Sequence, residues 1–186
     1  MNEIRLHIPT VSTQRLRLDP ISLEHSKGMF DLWSDACVCR YSGTVTDYDR
    51  NVIEMPAASR AESDRVIDFW LKAAIDRWGF RWAVLLAGAE DAFAGIVGFN
   101  SLLDCSEIAY HLMPRYWGKG IMTEACKAAI AWQRGNGASE IDALIAPENA
   151  PSIALAHRLG MEPADRLSDG SRRYRVSLRC ATGSDR

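Results

Sequence analysis

The run Arg115-Tyr116-Trp117-Gly118-Lys119-Gly120 lies between a stretch of period two, Ile108, Tyr110 and Leu112, and a small-residue helix pattern that begins at Gly120. A strand that turns through two glycines straight into a helix leaves few folds open. The same junction can bind an anion. Backbone N–H groups at a helix N-terminus point outward without partners, and the aligned peptide dipoles add roughly half a positive charge there. A phosphate ester would satisfy both.

The remaining composition frames that junction as part of one globular domain spanning residues 1–186, with 47% hydrophobic and 25% charged residues. A formal charge of -2 advertises no surface for a polyanion, so nucleic acid is not the expected partner. Met1-Asn2-Glu3-Ile4-Arg5 has no apolar leader, and no stretch approaches the roughly 20 apolar residues that span a bilayer. The expected place is the cytoplasm, with no membrane partner. The five cysteines, Cys37, Cys39, Cys105, Cys126 and Cys180, lack zinc spacing. They are expected to be reduced, mostly buried thiols, and no metal is expected.

No repeat or linker interrupts the chain. Leu16 to Leu18 reads as a first strand, and Leu23 to Trp33 as a helix. Asp35 to Ala58, with Gly43 and Pro56, reads as a long connection. Ser63 to Trp78 carries Val66, Ile67, Trp70, Leu71, Ala74 and Ile75 at helical spacing. Three strands follow: one with Trp82, Val84 and Leu86, one from Phe93 to Leu103 with Gly95 and Gly98 weakening its interior, and one through Ile108, Tyr110 and Leu112. Ala89-Glu90-Asp91 reads as the hairpin turn between the first two. Then come a helix from Gly120 to Gln133, a strand from Ile141 to Ala146, a helix from Pro151 to Leu159 closed by Gly160, and a terminal hairpin with Tyr174, Val176 and Leu178. The expected fold class is α+β, a mixed, mostly antiparallel central sheet flanked by about four helices.

Two nucleotide motifs fit the glycine turn poorly. A P-loop needs Ser or Thr after its lysine, and Lys119 is followed by Gly120. A dinucleotide fingerprint would use Gly118 and Gly120, but Thr123 stands at the third glycine. Asp142 falls near the spacing of a ribose-binding acid, yet three antiparallel-looking strands ahead of the turn do not make that unit.

Arg115-x-x-Gly118-x-Gly120, with Thr123-Glu124-Ala125 behind it, resembles the pyrophosphate-binding loop of the GNAT superfamily of N-acetyltransferases. Asn149-Ala150-Pro151-Ser152 and Leu159-Gly160-Met161 resemble further signatures of that superfamily. Thr13-Gln14-Arg15-Leu16-Arg17-Leu18 looks like the start of its RimJ/RimL branch, which includes ribosomal-protein N-terminal acetyltransferases. The resemblance covers the chain from Thr13 to Leu178. It implies acetyl-CoA as co-substrate and an amine acceptor, either a protein N-terminus or a small molecule, handled by a monomer or homodimer.

The resemblance assigns the donor grip to Arg115 and to the backbone around Gly118, Lys119, Gly120, Ile121 and Met122, with Thr123 adding a hydroxyl. A Cβ at the glycines would hold phosphates away from the backbone. It also implies that the strand ending at Leu112 and Met113 diverges from its neighbour and pairs with the pantetheine arm. Asn149 would bond the same arm, or else serve as a helix-entry residue.

Glu107 is the candidate base, on the polar face of the strand expected to border the acetyl group; the alternative is a solvated strand glutamate. His111 lies on the same face, roughly 13 Å along. Many relatives place a tyrosine acid seven residues after the asparagine, where this chain has Ala156. Ser152 is the nearby candidate acid, or a helix first-turn serine. Neither Cys105 nor Cys126 has a visible activating partner, so direct transfer in a ternary complex is expected. The acceptor groove is expected between the regions 36–58 and 166–173, where Asp35, Asp47, Asp49 and Glu54 could attract an amine and Trp33, Tyr41 and Tyr48 could line it. A noncatalytic acyl-CoA sensor, suggested by Ala156, and a purely structural domain are the rival readings.

Overall fold

The computed structural model describes residues 7–88 and 92–178; the turn expected at Ala89-Glu90-Asp91 and Cys180 lie outside them. Strands β1 (Val11–Ser12) and β2 (Leu16–Pro20) come first, then a short 3-10 turn (Leu23–His25) that runs into α1 (Ser26–Trp33). Next are α2 (Ala36–Cys39), α3 (Arg60–Ile75), β3 (Phe80–Leu86), β4 (Ala92–Phe99), β5 (Cys105–Leu112) and α4 (Ile121–Gly135). The chain continues through β6 (Glu140–Ile145), α5 (Ala150–Arg158), β7 (Glu162–Arg166) and β8 (Arg172–Ser177). The strands form one sheet in the order β1-β2-β3-β4-β5-β6-β8-β7. Only the β5–β6 pair is parallel among the described strands. The α+β class with a mostly antiparallel sheet is therefore observed, with α2 as a helix the sequence patterns do not show. Four residues are too few to display a period.

Element ends follow local chemistry. Helix α3 begins before the expected Ser63 because Ser59 and Glu62 form a reciprocal cap, with the Glu62 N–H donating to Ser59 Oγ at 3.3 Å and the Ser59 N–H to Glu62 Oε2 at 3.1 Å. Gly120, at φ 74°, caps α4, a left-handed conformation that favours glycine. Strand β4 stops at Phe99, so Leu102 and Leu103 belong to the connection to β5. Gly95 and Gly98 let neighbouring strands approach. A Cβ at Gly98 would fall 2.2 Å from the Phe80 carbonyl oxygen, and one at Gly95 2.1 Å from that of His111.

Helices cover both faces of the sheet's centre. Phe80 and Trp82 meet Trp132 of α4 edge to face, at 5.2 and 5.3 Å, on one side. On the other, Ala83, Leu85 and Ile96 pack with Met29, Leu32 and Val66 of α1 and α3. Covering both faces buries β3 at successive positions, Arg81 among them. A buried arginine is the exception that needs an explanation.

Candidate active site

Strands β5 and β6 pair only through Cys105↔Glu140, Ser106↔Ile141 and Glu107↔Asp142. Beyond that rung β5 stays with β4 as far as Leu112, while β6 runs with β8 to Ile145. A cleft of about 880 Å³ opens in the fork, with Ala109 and His111 on one wall and Ala146 and Asn149 on the other. The loop at 40–46 and Asp169 to Ser171 of the β7–β8 hairpin reach its rim.

Hydrogen-bond parity says which backbone groups face the fork. The Asn100 N–H donates to the Glu107 carbonyl at 2.8 Å and the Met113 N–H to that of Ala94 at 2.9 Å, so odd positions of β5 address β4. Ile108, Tyr110 and Leu112 therefore address the fork. The carbonyl of Leu112 accepts from Trp117 Nε1 at 2.7 Å. At Met113 the expectation of open backbone groups is corrected, because its carbonyl also accepts from the Tyr116 N–H at 3.0 Å. Both groups of this buried residue are spent within the chain.

Past Met113 a 3-10 turn (Pro114–Tyr116) leads into the glycines, with Gly118 at φ 71° and Gly120 at φ 74°. Nothing stands within 4 Å of a Cβ built on Gly118. The first helical bond of α4 is the Glu124 N–H to the Gly120 carbonyl at 3.1 Å, so the preceding amides of Ile121, Met122 and Thr123 have no intrahelical acceptor. Ile121 and Met122 bury their side chains and anchor that first turn. Arg115 and Lys119 are exposed around Tyr116, at 5.0 and 5.9 Å from its ring centroid.

Two further cations flank the turn that local sequence reasoning does not assign to it. Arg15 donates from Nη1 to the Lys119 carbonyl at 3.1 Å and from Nε to Glu124 Oε2 at 2.7 Å. Thr13 joins that clasp through Oγ1 to Glu124 Oε1 at 2.6 Å. From α5, Arg158 Nε donates to Thr123 Oγ1 at 3.4 Å. Their signals lie far apart in the chain, and only the fold brings them to one place.

Behind the last rung between β5 and β6 the fork carries a polar layer. Glu107 Oε1 accepts from Asn100 Nδ2, and Asn100 Oδ1 accepts from Arg81 Nη2. Arg81 Nη1 donates to the Phe80 carbonyl at 2.9 Å, and its guanidinium stacks 3.5 Å from the Trp70 ring centroid. Burial pulls Arg81 down to about 9, against the pull of Glu107. It stays a cation at neutral pH. His111 packs on Trp33 at 4.6 Å, and burial, then Arg81, push it down to about 3. A neutral imidazole is a poor partner for a proton near pH 7.

Across the cleft, Asn149 caps α5, its Oδ1 accepting from the Ser152 N–H at 3.3 Å. Ser152 faces the cleft next to the Tyr110 phenol, which burial raises above its ordinary range although Ser152 opposes it. Burial raises the Cys126 thiol, and burial with Asp142 raises Cys105 to about 11. Neither is a thiolate. Two loop acids serve the backbone and a salt bridge rather than the cleft: Asp35 Oδ1 caps α2 through the Cys37 N–H at 2.8 Å, and Asp47 pairs with Arg65 at 2.6 Å. Tyr48 bonds Asp76, while Tyr41 reaches the Glu148 carbonyl at 3.3 Å across the cleft mouth. Among the described residues no group of acids, histidines and cysteines could hold a metal ion, and no helix is long and apolar enough to cross a membrane.

A profile of the Acetyltransferase (GNAT) domain matches residues 15–162. The uncharacterized N-acetyltransferase p20 of Bacillus licheniformis is 28% identical over 169 residues, 86% of each chain. Among solved structures, a putative ribosomal-protein-serine acetyltransferase from Vibrio cholerae superposes with a TM-score of 0.75 at 18% identity, over 91% of this chain and 97% of that one. Spermidine N-acetyltransferase from Vibrio cholerae, in complex with CoA and spermine, superposes with a TM-score of 0.70 at 16% identity, over 89% and 96%.

Proposed function

The chain belongs to the GNAT acetyltransferase family and is an N-acetyltransferase, and we propose that it moves an acetyl group from acetyl-CoA to a primary amine by direct transfer in a ternary complex. The observation that supports this reading is the fork itself: Glu107 stands on the last rung that joins β5 to β6, and the glycine turn follows the end of β5 in the chain.

The residues present fit the donor. The pyrophosphate would lie on the amides of the Gly118–Thr123 turn, with Arg115, Lys119 and the Thr123 hydroxyl beside it. The acyl-bearing arm would enter between β5 and β6, pairing with fork-facing backbone such as the Leu112 N–H, with the Asn149 amide nitrogen on the opposite wall. Acetyl-CoA supplies an activated acyl group and a thiolate leaving group. Backbone N–H groups of β5 that point into the fork would stabilise charge on the thioester oxygen. Glu107 would take the proton of the ammonium, directly or through water, and Ser152, backed by Tyr110, would return one to the sulfur. Holding the amine beside the thioester supplies much of the rate. Raised cysteine pKa values favour this route over an acyl-enzyme.

The acceptor is a protein N-terminal α-amine or a small-molecule amine. Solved structures of this fold include enzymes named for each, a ribosomal-protein-serine acetyltransferase and a spermidine acetyltransferase. The opening Thr13-Gln14-Arg15-Leu16 favours the RimJ/RimL branch, and the cytoplasm is the compartment we assign. Thiol release from acetyl-CoA with N-terminal peptides and small amines tests the reading. We expect release with at least one acceptor and binding of CoA by calorimetry. CoA binding with no release on any amine would overturn it.

A further inference from the structure

The carboxylate at the fork is held by an amide. Asn100, the first residue after β4, donates to Glu107 Oε1 through Nδ2 and accepts from Arg81 Nη2 at Oδ1. An asparagine side chain can serve a cation and a carboxylate together in one orientation only, oxygen to the first and nitrogen to the second. The charges at the two ends therefore fix the middle. Arg81 is itself held, by the Phe80 carbonyl at 2.9 Å and the Trp70 ring at 3.5 Å. A buried guanidinium touching no carboxylate is costly unless the arrangement serves something. Among the described residues no hydrogen bond reaches Glu107 Oε2, and Glu107 lines the cleft.

We propose that Asn100 is a positioning residue for the base: it ties Oε1 of Glu107 to Arg81 through a neutral amide and leaves Oε2 toward the incoming amine. The inference rests on Glu107 being the base. One ammonium proton leaves for Oε2, directly or through water; the freed lone pair forms the N–C bond, the C–S bond breaks, and the nitrogen's second proton goes to the departing thiolate. The amide neither gains nor loses a proton.

Other groups around Glu107 leave Arg81 as its charged counterpart. On its own strand, Cys105 is an uncharged thiol, raised to about 11, and His111 is neutral, pushed down to about 3. From β6, Asp142 is matched by Arg173 and Arg175 of β8. The α3 side contributes Val66, Phe69 and Trp70, and the rim carries Arg40, Glu148 and Asp169.

The experiment records kcat and KM against pH for Asn100→Asp, Asn100→Ala and Glu107→Gln with the best acceptor. Asn100→Asp keeps the acceptor for Arg81 but sets a carboxylate against Glu107, so the acid limb of kcat/KM should rise by about one pH unit with KM for acetyl-CoA unchanged. Asn100→Ala should lower kcat about tenfold. In a Glu107→Gln background, Asn100→Asp should have no further effect on kcat. A wild-type pH profile in Asn100→Asp beside an impaired Glu107→Gln overturns this inference alone. Full turnover in Glu107→Gln overturns the base assignment and this inference with it.

Discussion

Glu107 and Asp142 are Cα partners in the last rung that joins β5 to β6, which sets two carboxylates side by side where the strands part. Each has its own cation. Arg175 grips Asp142 through Nε at 2.6 Å and Nη2 at 2.9 Å, and Arg173 adds a contact at 3.1 Å. Glu107 reaches Arg81 through Asn100. Like charges on neighbouring strands would otherwise push the rung apart.

Asp142→Asn tests the structural half of that pair. Burial raises the Asp142 carboxyl, but Arg175, Cys105 and Arg173 together bring it below its ordinary value. A depressed carboxylate contributes stability that is present above its unfolded pKa of about 3.9 and lost as pH falls through the folded value. Urea unfolding at pH 7 should show a loss of about 1.5–3 kcal/mol, toward the low end because the arginines are partly exposed. The difference from wild type should shrink in strongly acidic buffer. An equal difference at both pH values would show that the ion pair is not its source.

Glu107→Gln tests the chemical half. Removing a base should lower kcat by roughly 10²–10⁴ while leaving acetyl-CoA affinity unchanged by calorimetry. Unchanged rates across the pH range would take Glu107 out of the mechanism.

Gly120→Glu should abolish CoA binding with the fold retained. The substitution places a side chain at φ 74°, which costs about 1–2 kcal/mol, and sets a negative charge at the helix N-terminus proposed to hold the phosphates. Circular dichroism should stay native while the calorimetric signal disappears. Retained affinity would sink the turn as the pyrophosphate site.

His111→Gln should flatten the acid side of the stability curve. The His111 pKa is lowered by burial to about 3, so between about 6.5 and 3 the unfolded chain binds the extra proton and stability falls as pH drops. Unfolding midpoints measured from pH 7 to pH 4 should fall less steeply in the variant. Parallel curves would mean that another group titrates there.

The order of strands and helices was legible because periods of two and 3.6 are local. So was the glycine turn, since positive φ at Gly118 and Gly120 is written in residue type. What could not be read depends on register. Met113 loses its open amide to Ala94 only because β4 and β5 pair as they do. Arg81 and Asn100 lie 26 and 7 residues before Glu107 and meet it only when three strands align. By sequence Asn149 suits a ligand of the cleft or a helix cap; in the fold its side-chain oxygen caps α5. The short strand β1 and the single-turn α2 escaped because neither is long enough to show a period.

Thr13 and Arg15 reach Glu124 across 111 and 109 residues of chain. Contacts so distant in sequence form late, after the entropy of closing a long loop has been spent. The brace on the glycine turn is therefore expected to close late in folding, and a chain without the residues that link β1 to β2 would carry the glycines unbraced. Occupancy of the turn then reports on the whole domain. At 100 times its dissociation constant, the donor would add about 2.7 kcal/mol to global stability, and amide exchange should slow in β2 along with α4.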